Sequence, residues 1–77
     1  MNSIIQALKK IRPDVDFSKS KDFIKDQLLD SLDILALVSF LEERFGIVID
    51  GEDVTHENFK SLRALEKFVQ KYIGRSL

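Results

Sequence analysis

The residues with most scope for chemistry stand together in Asp30-Ser31-Leu32-Asp33, a hydroxyl between carboxylates where an aperiodic stretch gives way to a helical pattern. A helix N-terminus offers unpaired backbone N–H groups and the positive end of the macrodipole, so a phosphate carried by a serine there is well accommodated. The same residues also suit a structural role, with Asp30 as N-cap, Ser31 as the first helical residue and Asp33 as an acid of the first turn. Hydrolase chemistry at Ser31 needs a base. His56 is the single histidine, and it lies in a separate segment with no partner carboxylate at recognisable spacing. It reads as an exposed residue in the first turn of a short helix. The chain has no cysteine, so neither a thiolate nucleophile nor a cysteine-based zinc site can be built. Asp14, Asp16, Asp50, Glu52 and Asp53 do not follow the alternate-position pattern of a calcium loop. No catalytic residue, no metal site and no enzymatic activity of the chain's own are expected.

Ser31 has to be held by its neighbouring elements. Ile4, Ile5, Leu8 and Ile11 recur on one helical face, with Asn2 or Ser3 as cap and Pro13 as terminator, and define a first helix. From Pro13 to Asp30 the period is lost, and Phe17, Ile24, Leu28 and Leu29 anchor a long ordered loop with a helical turn near residues 20 to 26. Loops of more than about 12 to 15 residues tend to carry function. Leu32 to Phe45 contains no Gly or Pro and is followed by Gly46, which marks the best-signalled helix. At 100° per residue Ile34, Leu37, Val38, Leu41 and Phe45 share the core arc. Leu32, Leu35, Ala36, Ser39 and Phe40 fall mostly on the opposite arc, a second apolar stripe that is either buried or a docking surface. Ile47-Val48-Ile49 has no partner strand and reads as an extended linker. Thr55 caps a short helix through Phe59, and Ser61 caps a last helix with Leu62, Leu65, Phe68, Val69 and Tyr72 buried and Gly74 beyond it. The expected fold is all-α: three main helices, one short helix and a long loop between the first two, in a single domain over residues 1–77.

The net charge of -1 hides a strong segregation. Residues 1 to 25 carry +3 and residues 58 to 77 carry +4, whereas residues 26 to 57 set nine acids against Arg44 alone, for -8. An acidic face steers basic partners and suppresses wrong ones. Nucleic acid needs the opposite sign, and the stripe Lys60, Arg63, Lys67, Lys71 is interrupted by Glu66 and lacks stacking aromatics, so it reads as a solvated helix face. No apolar run approaches the roughly 18 residues of a membrane span. Met1-Asn2-Ser3-Ile4-Ile5 has no secretory leader pattern, and a monomer in the cytoplasm is expected.

Taken together, Leu28-Leu29-Asp30-Ser31-Leu32-Asp33-Ile34, Leu37, Leu41-Glu42-Glu43-Arg44-Phe45-Gly46-Ile47 and Ile49-Asp50 resemble the acyl carrier proteins over nearly the whole chain. The resemblance implies a four-helix carrier in which Ser31 bears 4'-phosphopantetheine, donated by coenzyme A through a phosphopantetheinyl transferase. The arm's terminal thiol would hold an acyl cargo as a thioester, which lets a cysteine-free chain take part in thiol chemistry. It also implies that this transferase and acyl- or aminoacyl-loading ligases, synthases or transferases dock on the second helix at Asp30, Leu32, Asp33, Leu35, Ala36, Ser39, Glu42 and Glu43. Many members have a glycine shortly before Asp-Ser, where this chain has Gln27-Leu28-Leu29, closer to specialised and D-alanyl-type carriers. The cargo could thus be fatty acyl, polyketide or an amino acid. An unmodified helical adaptor acting through Leu32, Leu35 and Phe40 is the reading from another class. An alkyl cargo would gain by entering the core, with Leu37, Val38, Leu41, Phe59 and Leu65 as the expected lining, opened through a loop held by few apolar anchors.

Overall fold

Four α-helices carry the apolar periodicity in the computed structural model, which describes residues 2–75: α1 (Asn2–Ile11), α2 (Ser31–Phe45), α3 (His56–Phe59) and α4 (Leu62–Arg75). Short 3-10 turns at Phe17–Lys19 and Gly51–Asp53 complete the architecture, and no strand occurs among the described residues. Ile4, Ala7 and Leu8 bury the inner face of α1. Because α1 already begins at Asn2, Ser3 lies inside the helix and is not its cap; its Oγ accepts a hydrogen bond from Arg44 Nε at 3.2 Å. At the other end Arg12 pairs with Asp33. These two links, one at each end, set α1 and α2 antiparallel.

The segment between α1 and α2 is far better anchored than its lost period suggests. Asp16 caps the first 3-10 turn by accepting the Ser18 N–H. Asp22 Oδ1 then accepts the N–H groups of Ile24 and Lys25 at 3.1 and 2.9 Å, and the Asp26 N–H closes on Asp22 O at 3.0 Å. This is the helical turn expected near residues 20 to 26. Gln27 leaves it in the left-handed region at φ 59°, and Leu28 and Leu29 fold back to donate to Phe23 O. Phe23, which sequence patterning did not single out, is buried at the centre with Leu29, and Phe17 packs edge-on to it at 5.0 Å. A turn residue has no helical period, so its burial left no trace in the pattern.

α2 ends at Gly46, whose φ of 65° lets the Gly46 and Ile47 N–H groups turn back to Glu42 O. Ile47 and Ile49 are buried and Val48 is exposed, an extended segment with no partner strand. Thr55 caps α3, and Ser61 Oγ accepts the Ala64 N–H to start α4. α4 runs through Gly74 to Arg75, so Gly74 is a helical residue and not the stop expected of it. Leu65, Phe68, Val69 and Tyr72 form its buried stripe; the Phe59 and Phe68 rings meet tilted at 5.2 Å, and Phe68 and Tyr72 meet edge-on at 5.0 Å. The Tyr72 hydroxyl donates to Asp53 and accepts the Asp50 N–H, tying α4 to the second 3-10 turn. Arg63, Lys67 and Lys71 are exposed and Lys60 pairs with Glu57 at 3.1 Å, the solvated face expected of that stripe.

Candidate functional site

Ser31 is the first residue of α2, and its local frame is a reciprocal cap. Asp30 Oδ1 accepts the Asp33 N–H at 2.8 Å, while Asp33 Oδ2 accepts the Asp30 N–H at 3.1 Å. The hydrogen bond from the Asp33 N–H holds the Asp30 carboxyl below the usual carboxylate range, with Arg12 adding to the effect. Ser31 itself is exposed, and its hydroxyl has no hydrogen-bond partner among the described residues. The structural role foreseen for Asp30 and Asp33 and the chemical role foreseen for Ser31 are therefore compatible. The aspartates build the helix end, and the serine is left free on it.

The outer face of α2 leads away from Ser31. Leu32 is 74% and Leu35 64% exposed, which is unusual for leucines, and Ala36, Ser39 and Glu43 are exposed beside them. Val48, at 85% exposure just past the end of α2, is a further large apolar side chain in solvent that was read as linker. Its place in Ile47-Val48-Ile49, between two apolar residues, is the signal: in an extended segment alternate side chains point opposite ways. Three expected members of the face differ. Glu42 is half-buried and its Oε2 accepts the Ile49 N–H at 2.8 Å, so it holds the segment after α2 in place. Phe40 is half-buried under Lys10, whose Nζ lies 5.6 Å from the ring centroid, so it belongs to the α1–α2 contact. Asp33 is likewise mostly covered, with 15% of its side chain exposed.

His56 opens α3, exposed as expected, and Nε2 lies 2.7 Å from Asp22 Oδ2. The contact joins α3 to the loop and does not involve Ser31. No group of three or more His, Asp or Glu side chains among the described residues could hold a metal ion. Of the residues expected to line an interior space, Leu37, Leu41, Phe59 and Leu65 are fully buried and Val38 is half-buried. A groove of about 600 Å³ opens instead between α1, the loop and the start of α4, lined by Ile5, Leu8, Val15, Phe17, Phe23 and Leu62 among others.

The described residues thus form an all-helical fold with an unpartnered serine hydroxyl at the N-terminus of its longest helix, beside exposed leucines. The phosphopantetheine attachment site family matches residues 2–69, a span that takes in α1, α2, α3 and the first half of α4, and the chain belongs to that family. Its cofactor is covalently attached 4'-phosphopantetheine, and carriers of this kind interact with phosphopantetheinyl transferases and acyl-handling enzymes. No solved structure matches the chain. Among the described residues no helix is long and apolar enough to cross a membrane.

Proposed function

We propose that Ser31 is the attachment point of the arm and that the chain is an acyl carrier, presenting its cargo to enzymes that dock on the outer face of α2. The observation that carries this is the free, exposed Ser31 hydroxyl at the first position of α2. The Asp30–Asp33 cap fixes the direction of the helix end from which an arm would leave, and the N–H groups of the first turn favour its phosphate. When bound, the arm supplies a thiol that holds the cargo as a thioester. Leu32, Leu35, Ala36 and Ser39 offer a small apolar contact, and Asp30 and Glu43 offer charge for steering and register. Residues 1–77 then act as one carrier domain in the cytoplasm and perform no catalysis themselves.

An aminoacyl or D-alanyl carrier, loaded by an adenylating ligase, is the second reading. The burial of Leu37, Leu41, Phe59 and Leu65 in one core cluster supports it, since a small cargo needs no space among them. Incubation with coenzyme A and a broad-specificity phosphopantetheinyl transferase should add the mass of one phosphopantetheinyl group, located at Ser31 by fragmentation, and none to Ser31→Ala. An adduct at another residue, or none with several transferases, would overturn the assignment. Full function of Ser31→Ala in the host would favour the unmodified adaptor. Mass spectrometry of the protein from its native host identifies the cargo.

A further inference from the structure

The carboxylate that closes the α2 cap also holds a guanidinium. Arg12, just past α1, brings Nη1 to 3.6 Å from Asp33 Oδ2, and the same oxygen accepts the N–H of Asp30, the residue immediately before Ser31. Arg12 is thereby tethered at the N-terminal end of α2, two polar links from the backbone that carries Ser31. Its hydrogen-bonding capacity is not used up. The Nε atom is buried with no partner, and 3.6 Å from Nη1 to the carboxylate is an ion pair longer than a good hydrogen bond.

Nε is enclosed, but 38% of the Arg12 side chain is exposed, and the charge balance at this end bears on that exposed part. The unmodified serine is neutral, and Arg12 pairs with the carboxylate of Asp33 while its charge also acts on that of Asp30. A phosphodiester on Ser31 adds a further negative charge beside them. The partial charge of the helix terminus, about +0.5, does not offset three anionic groups. We propose that Arg12 is the counter-charge for the phosphate at Ser31: its guanidinium, shared with Asp33 in the unmodified protein, donates to a phosphate oxygen in the modified one and fixes the root of the arm. A planar guanidinium with five donors suits this sharing, because it can serve a carboxylate and a phosphate at once. This rests on Ser31 being the attachment point. No bond is made or broken at Arg12, which acts as a positioning residue.

The test is a cycle of four proteins, wild type and Arg12→Gln, each without and with the arm, with intact mass and fragmentation locating the arm on Ser31. The thermal midpoint shift caused by modification should be less favourable in Arg12→Gln than in wild type by about 2–6 °C at low salt. The difference should shrink as salt is raised. Equal shifts in both backgrounds overturn the proposal. If Arg12→Gln does not fold, Arg12→Lys keeps a charge on the cap while losing the planar fork. The 31P resonance of the modified protein should then move in Arg12→Lys and stay put in Lys9→Gln on the same helix, and an unmoved resonance in Arg12→Lys overturns the proposal. Absence of an adduct on Ser31 in wild type is recognised by mass alone and removes the attachment reading together with this one.

Discussion

Gln27 carries the backbone from the turn at residues 23–27 into Leu28-Leu29-Asp30, and it does so at φ 59° without being glycine. A left-handed conformation costs an L-residue about 1–2 kcal/mol, and glycine gives back part of that through its greater freedom when unfolded. Gln27→Gly should therefore raise stability by about 0.5–1 kcal/mol, read as a higher denaturant midpoint at unchanged slope. The stretch before Asp30-Ser31, which has no glycine, thus contains a backbone position that favours one. Glu42 and Glu43 make a second comparison at this scale. Glu42→Ala removes the acceptor of the Ile49 N–H, and leaving a part-buried donor unsatisfied costs about 1–3 kcal/mol. Glu43→Ala should change stability by less than about 0.5 kcal/mol and act on partner association instead. Chemical denaturation of both, beside a binding assay with the transferase, separates the two effects. Equal stability of the two variants would mean that the Glu42 contact contributes nothing.

The two faces of α2 were legible in the sequence because a long uninterrupted helix displays its period, and Leu35 and Leu37 show how sharply. Leu37 is fully buried whereas Leu35 is 64% exposed. Leu37→Ala should cost about 2–5 kcal/mol. Leu35→Ala should leave the thermal midpoint nearly unchanged and slow modification or transfer; comparable melting of both would mean that α2 is covered on all sides. The caps at Thr55 and Ser61 were equally legible, since capping is a local signal. Contacts between elements were not. Nothing near Phe40 tells that Lys10 will cover it, and nothing near Asp33 tells that Arg12 will reach it, because both depend on how α1 lies along α2. The place of Ser31 at the start of α2 was legible because it depends on one helix end alone. Which side chains are exposed at the outer face of α2 could not be fully read, because Glu42 and Val48 are placed by the segment folded after α2.

Across the whole molecule, ionisation adds up to a pH profile with two edges. Asp16, Asp22 and Asp30 are all lowered from an ordinary 3.8: Asp16 by hydrogen bonds from Ser18, Asp22 by the Lys25 N–H and then by His56, and Asp30 by the Asp33 N–H. Each therefore contributes stability that is present above 3.8 and lost as pH falls through its lower folded value. Tyr72 runs the other way. Its hydrogen bond to Asp53, followed by burial, raises it above 10.0, so its contribution is present below that pH and lost as pH rises through the folded value. A plot of denaturation midpoint against pH should show an acid edge below 3.8 and an alkaline edge above 10, and Tyr72→Phe should weaken the alkaline edge alone.

The loop before α2 is tied to the junction of α3 and α4 through Phe23. Its N–H donates to Lys60 O at 2.6 Å, its side chain is buried, and one residue earlier Asp22 meets His56. An amide so placed exchanges with solvent only when the region opens. In hydrogen–deuterium exchange the Phe23 amide should accordingly be protected to a degree comparable with Leu37 and Leu41 in α2, although it lies outside every helix. A slow amide in that stretch would mean that the peptide leading to Ser31 is released only by an opening large enough to loosen the start of α4 as well.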